Sequence, residues 1–181
     1  MARIFHVESE FDYKGYKCVV VFQALGHRCG YVGVPQNHPL YGKGYGEETS
    51  IPLSALENEE VGKRSLISLV VNSQKENVTL DVLFDVHGSL TFSDCGKDSK
   101  YPIESDLWRL GFDCGHYEDG IDLDKAIEYF PERKEMIMQR KTIKEIFGTY
   151  EGLYIRSQEY VENECRNLVE QIIKYYGSEE N

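Results

Sequence analysis

The chain opens on alternating apolar and polar positions. Residues 3–9, 16–25 and 29–34 alternate or run apolar and are rich in Val, Phe and Tyr, the period-two signature of strands. Asp12-Tyr13-Lys14-Gly15 supplies turn chemistry between the first two, so a hairpin or meander is predicted. From Pro35 to Pro52 the alternation stops, and prolines and glycines accumulate around His38, Tyr41 and Tyr45. A loop this long inside a compact domain is usually functional or mobile. A short helix is predicted over 53–60, introduced by Ser50 or Pro52, then strands over 66–71 and 78–86 joined by a polar turn at 72–77. In the second of these Leu80, Val82, Phe84 and Val86 would point one way, and further strands over 89–93 and 107–113 complete an antiparallel sheet.

After Gly120 the period changes. Asp122 is placed to cap a helix over 123–130, and Pro131 to begin a second helix running toward Phe147 and stopped by Gly148. Val161, Cys165, Leu168 and Ile172, joined by Val169, Ile173 and Tyr176, recur at three- and four-residue steps, which predicts an amphipathic helix over 155–176 ended by Gly177. Glu159, Glu162, Glu164 and Arg166 read as its solvated face, although one near the helix start could reach a pocket. Strands first and helices last predict one α+β domain over 1–181, strand-rich to about 119 and helical over about 120–177. Its mainly antiparallel sheet would carry the C-terminal helices on one face.

Composition narrows the function classes. With 181 residues, 41% hydrophobic and 28% charged, the chain is long enough to bury well over half of its unfolded surface. No apolar run approaches the ~20 residues of a membrane-spanning helix, and Met1 to His6 lead into a strand pattern instead of a secretory core. Five scattered cysteines without a CxxC pair fit reduced thiols in a cytoplasm. A net charge of −11 repels phosphate backbones, so no nucleic-acid polymer is expected as a partner. A small anion held by local donors, or a basic protein drawn to the acidic surface, remains open beside a merely solvating role for the charge.

Three segments concentrate glycine, histidine, cysteine and aromatic residues at predicted strand ends: 26–35, 87–92 and 111–120. In the third, Asp113, Cys114, His116 and Asp119 offer ligands or acid–base groups, and His87 could join them across the sheet. Cys114 with His116 or His87, or Ser89 beside His87, offers a nucleophile and base. The ordinary alternatives are that His116 caps a turn, Cys114 packs as a small hydrophobe and the aspartates cap backbone donors. No zinc signature and no nucleophile elbow surrounds these residues, so no catalytic residue, metal or cofactor is assigned. Gly42-Lys43-Gly44-Tyr45-Gly46 matches a glycine-rich nucleotide loop in composition only. Beside Arg28, Tyr31, His38 and Tyr41 it describes a loop able to close over a planar base and its phosphates, or one whose tyrosines simply anchor it to the core. His6 and His27 read as satisfied surface or core groups, and Trp108 as a core anchor with its indole hydrogen-bonded.

Several blocks carry a resemblance: Cys29-Gly30-Tyr31-Val32-Gly33-Val34 followed by His38-Pro39-Leu40-Tyr41-Gly42, then Val86-His87-Gly88-Ser89-Leu90-Thr91-Phe92, Gly111-Phe112-Asp113-Cys114-Gly115-His116 after Trp108, and Glu159-Tyr160-Val161-Glu162-Asn163-Glu164. In this order they resemble a family of uncharacterised phage and prophage accessory proteins. The resemblance implies action in the host bacterial cytoplasm against bacterial defence. The preferred form is a pocket that binds and withholds a small nucleotide-derived immune signal. In that reading Tyr31, Tyr41 and Tyr45 line the pocket, Arg28, His38, His87 and His116 donate to phosphate or ribose, and Asp113 and Asp119 position the donors. The alternatives are a hydrolase or phosphodiesterase using His87, His116 and an aspartate, or an acidic protein that inhibits a defence protein directly. A homo-oligomer is also open.

Overall fold

Lys14 and Gly15 both take positive φ, 48° and 88°, the two-residue turn whose twist matches a hairpin. It joins β1 (Phe5–Tyr13) to β2 (Tyr16–Gln23) in the computed structural model, which describes residues 4–56, 62–95, 105–147 and 153–177. β3 (Arg28–Val34) pairs antiparallel with β2 and, on its other side, with β7 (Trp108–Asp113), which pairs with β6 (Phe92–Cys95). The resulting sheet has the order β1-β2-β3-β7-β6 and is antiparallel throughout. The long loop after Val34 ends in β4 (Glu48–Pro52), which forms a separate two-stranded ladder with β5 (Asn77–Thr79).

Three predicted elements are corrected. Residues assigned as a strand over 66–71 form the helix α1 (Leu66–Asn72), whose N-cap Ser65 accepts a hydrogen bond from Ser68 N. A short apolar run has no period that separates strand from helix, and the serine before it decides in favour of the helix. The predicted strand over 78–86 shrinks to β5 and is followed by one helical turn, α2 (Leu80–Leu83). Leu83 is buried along with Leu80, Val82, Phe84 and Val86, while Asp81 and Asp85 are partly exposed, so burial here does not follow strand alternation. The predicted helix over 53–60 is a 3-10 turn at Leu53–Leu56, its remainder lying outside the described residues, as does Gly148.

The C-terminal helices follow the sequence closely. Asp122 caps α3 (Leu123–Tyr129) through Lys125 N, Pro131 opens a 3-10 turn leading into α4 (Lys134–Phe147), and Ser157 caps α5 (Gln158–Tyr176). Val161, Cys165, Leu168, Val169 and Ile172 of α5 meet Cys18, Val20, Val32, Leu110 and Phe112 of the sheet in the main core, completed by the segment from Val78 to Leu90. Phe22 and Ala24 pack with Leu123, Ala126, Phe130 and Ile137 of α3 and α4. The architecture is therefore α+β, with α5 laid on one face of the sheet. Among the described residues no helix is long and apolar enough to cross a membrane.

Candidate functional site

The site is built around Asp119, whose side chain is almost wholly buried. Its Oδ1 accepts from Arg156 Nε at 2.9 Å. Its Oδ2 lies 2.7 Å from His87 Nε2 and accepts from the main-chain N–H of His116 at 3.1 Å. Burial alone would raise the Asp119 pKa, but the hydrogen bonds from His87 and Arg156 outweigh it and hold the carboxyl below its ordinary value. Arg156 arrives by a short parallel bridge between Asp119 and Tyr154, in which Gly120 N donates to Tyr154 O at 2.9 Å. A Cβ at Gly120 would stand 2.9 Å from Ile155 Cγ1 and 3.2 Å from the Tyr154 main chain, so glycine there is what lets the two segments lie side by side.

His87 is fixed from the other side by α5. Its Nδ1 lies 3.0 Å from the Tyr160 hydroxyl, and its main-chain N–H donates to Glu164 Oε2 at 3.0 Å. Glu164 also pairs with Lys63. One turn further, Asn167 Nδ2 and Gln171 Nε2 both donate to the Asp85 carbonyl, at 2.9 and 3.0 Å. Residues 164, 167 and 171 share one helix face, so α5 grips the main chain just before Gly88 with three polar side chains. Gly88 then takes φ +66°, and a Cβ on it would fall 2.0 Å from His116 Cε1. The His116 ring occupies that space, 5.5 Å from the His87 ring and edge-on to it.

These residues line an open cavity of about 590 Å³, together with Lys63, Arg64, Ser65, Tyr117 and Glu118. Arg64 is buried and donates to the carbonyls of Val82 and Leu83, and Tyr117 stands out at the rim, 95% exposed. His116 has its ring 38% exposed, yet its Nδ1 is turned inward without a hydrogen-bond partner among the described residues, 3.6 Å from Asp119 Oδ2. Burial pushes the Tyr160 phenol up to about 12, which keeps it protonated. The ligand atoms of His87, His116 and Asp119 all lie within 4.8 Å of one another.

Of the residues named from sequence, the structure brings His87, His116 and Asp119 together. Asp113 lies beside them, 3.9 Å from His116 Nδ1, bound to Thr91 Oγ1 and Gly115 N. Arg28 stands behind the site: it forms a bidentate pair with buried Glu8 at 2.6 and 2.9 Å and donates to the Arg156 carbonyl at 2.7 Å. Tyr31 does not line the pocket, because strand alternation puts it on the sheet face away from α5, lying across Gly111 and edge-on to Phe92.

His38, Tyr41 and Tyr45 leave from the Val34 end of β3, whereas the site sits at the Arg28 end, a strand length of roughly 20 Å away. His38 is buried against Tyr16, Tyr41 packs near Trp108, and the Tyr45 main chain is bound by Ser93 and Asp81. The glycine-rich stretch around Lys43 is likewise structural, its carbonyl accepting from Trp108 Nε1 at 2.9 Å. A smaller cavity of about 220 Å³ lies at that end, bordered by Leu40, Glu47, Glu48 and Tyr176.

The nucleophile readings find no support in the geometry. Cys114 is 1% exposed and burial pushes its thiol well up, away from thiolate. Ser89 is also buried, with φ +75°, and its hydroxyl accepts from Ser65 N at 2.7 Å. Lys63, Arg64, Arg156 and Tyr160 join the site without having been singled out from sequence. Glu164 is buried in α5 and not part of its solvated face. Its position between Val161 and Leu168 in the apolar stripe was the available signal. No family model, no curated protein and no solved structure matches this chain.

Proposed function

We propose that this chain binds a small phosphate-bearing ligand of nucleotide size in the pocket between His87 and Arg156. One observation carries the reading. In a chain of net charge −11, three cationic side chains, Lys63, Arg64 and Arg156, converge with two imidazoles on a single cavity whose acidic lining is Glu118 and Asp119, the latter paired with Arg156 as Lys63 is with Glu164. The volume falls within the ~300–1,000 Å³ of small-molecule sites. Tyr117 at the rim is placed to stack on a planar base, a role the sequence had given to Tyr31, Tyr41 and Tyr45. Taken with the resemblance to phage accessory proteins, the ligand is a nucleotide-derived bacterial immune signal, and the protein withholds it in the host cytoplasm.

The state of His87 argues against its serving as the general base of a metal-free hydrolysis. Both ring nitrogens are engaged within the protein, by Asp119 and Tyr160, so neither is free to take a proton from an attacking water. Incubation with a panel of cyclic nucleotides and cyclic ADP-ribose isomers, analysed by mass spectrometry before and after heat denaturation, tests this directly. Ligand that disappears and returns unchanged is the expected result, lost in Arg156→Ala. Conversion to new masses would make the protein an enzyme, and no uptake of any ligand would leave the acidic surface and a protein partner as the better reading.

A further inference from the structure

We infer that His87 Nε2, His116 Nδ1 and Asp119 Oδ2 form a binding site for a divalent transition metal of the zinc class, with the remaining coordination position open to the cavity. The inference stands on the side-chain cluster and needs no particular organic ligand. Two imidazoles and one carboxylate are a ligand set that zinc takes in open, three-protein-ligand sites. A tetrahedral ion with bonds of about 2.0–2.1 Å holds its ligand atoms roughly 3.4 Å apart. The present separations from Asp119 Oδ2, 2.7 Å to His87 Nε2 and 3.6 Å to His116 Nδ1, bracket that value.

The strongest pointer is His116 Nδ1. It is buried, has no hydrogen-bond partner among the described residues, and lies 3.6 Å from Asp119 Oδ2 and 3.9 Å from Asp113 Oδ1, while the rest of its ring reaches the pocket. A buried imidazole nitrogen left in this way incurs a desolvation penalty that a coordinated cation would remove. Outer contacts match what ligating groups need. The Tyr160 hydroxyl at His87 Nδ1 accepts the proton that metal binding at Nε2 would fix on the other nitrogen, and Arg156 holds the second oxygen of Asp119. Gly88, by lacking a Cβ, leaves the space in which the His116 ring stands. Arg156 and Lys63 oppose the cation electrostatically, but each is already paired with a carboxylate, Asp119 and Glu164. A bound dication would leave the pocket floor net positive and offer its open position to an anionic oxygen.

The test is calorimetric titration of EDTA-treated full-length protein with zinc alone, with cobalt(II) absorption as a second readout. One equivalent of zinc is expected, with a tetrahedral cobalt spectrum free of thiolate charge transfer. His116→Ala should abolish this binding, and it is the decisive variant because His116 Nδ1 makes no hydrogen bond among the described residues that the substitution would break. Tyr160→Phe should weaken binding by about tenfold, the cost of an outer contact. Absence of zinc binding, binding that survives His116→Ala, or a cobalt–thiolate band would each overturn the site. Pyrophosphate titrated into the EDTA-treated protein separates the two readings: uptake there without any zinc binding would sink the metal site and leave the anion pocket standing.

Discussion

Arg28 donates from Nη1 to the main-chain carbonyl of Arg156 at 2.7 Å, while Arg156 turns its own guanidinium to Asp119. The first arginine thus sets the backbone that delivers the second. Arg28 can do so because the β1 bulge between Val7 and Ser9 leaves Glu8 out of register and its carboxylate, 1% exposed, meets the guanidinium in bidentate fashion. Arg28→Met would leave that carboxylate buried with the more distant Lys125 and Tyr129 as its remaining partners among the described residues. Breaking one partner of a buried pair costs about 3–5 kcal/mol. A loss of this size is expected in urea unfolding, and the double change Glu8→Leu with Arg28→Met should recover much of it. A loss under about 1 kcal/mol, the range of ordinary substitutions, would mean the pair does not brace the site.

Gly88 and His116 form a second coupled pair. Alanine at 88 would hold a side chain at φ +66°, at a cost of about 1–3 kcal/mol, and would drive its methyl into the His116 ring. Gly88→Ala should therefore displace His116 and lose zinc binding as His116→Ala is expected to. Because the collision vanishes once the ring is removed, the stability cost of Gly88→Ala should be smaller in a His116→Ala background. Equal costs in the two backgrounds would show that backbone strain alone is at work.

The sheet meander and the three C-terminal helices were legible from period or terminal signals: Gly15 at the hairpin, Asp122 and Pro131 at the helix starts, and the three- and four-residue steps ended by Gly177 in α5. The 66–83 stretch was not: the short apolar run at 66–71 has no period that separates strand from helix, and the alternation begun at Leu80 and Val82 breaks at Leu83, which is also buried. There Leu66, Ile67, Val70 and Val71 of α1 remain between 66% and 77% exposed, so burial would not have identified the helix either. At the site, histidine and aspartate beside glycine singled out His87, His116 and Asp119, which the structure brings together at one cavity. Arg156 and Lys63 were invisible because they arrive through a two-residue bridge and a turn, contacts that leave no periodic trace. Tyr31, Tyr41 and Tyr45 were grouped with the site on composition, which says nothing about sheet face or strand end.

Thiol chemistry separates a buried filler from a nucleophile. Cys18, Cys29, Cys114 and Cys165 are buried, and desolvation raises all four, Cys18 and Cys29 to about 12. Cys95 is half-buried beside the Tyr41 hydroxyl. Titration of the native protein with an aromatic disulfide should release one fast equivalent, assigned to Cys95 by its loss in Cys95→Ser, and all five only in denaturant. Fast reaction of Cys114 would restore the nucleophilic reading.

His38 provides the acid limb of stability. Leu40 N donates to its Nδ1 at 3.1 Å, which places the proton of the neutral ring on Nε2, facing the Tyr16 hydroxyl at 3.3 Å. Protonation would put a second proton on Nδ1 against the Leu40 N–H. Burial, beside Tyr16 and Tyr176, accordingly lowers the His38 pKa below its ordinary value. The sign follows from linkage: as pH falls below about 6.5 the unfolded chain takes up this proton before the folded one does, so stability drops until the folded pKa is passed and is unaffected at higher pH. In His38→Gln an amide can accept from Leu40 N and donate to Tyr16 without titrating. Urea midpoints of the two proteins measured from about pH 8 to about pH 5 should run parallel above neutrality and then converge or cross as the wild type loses ground. The other titrating groups are common to both proteins and cancel in the difference, so curves that stay parallel through pH 6 would mean that His38 accepts its proton in the folded state as readily as in the unfolded chain.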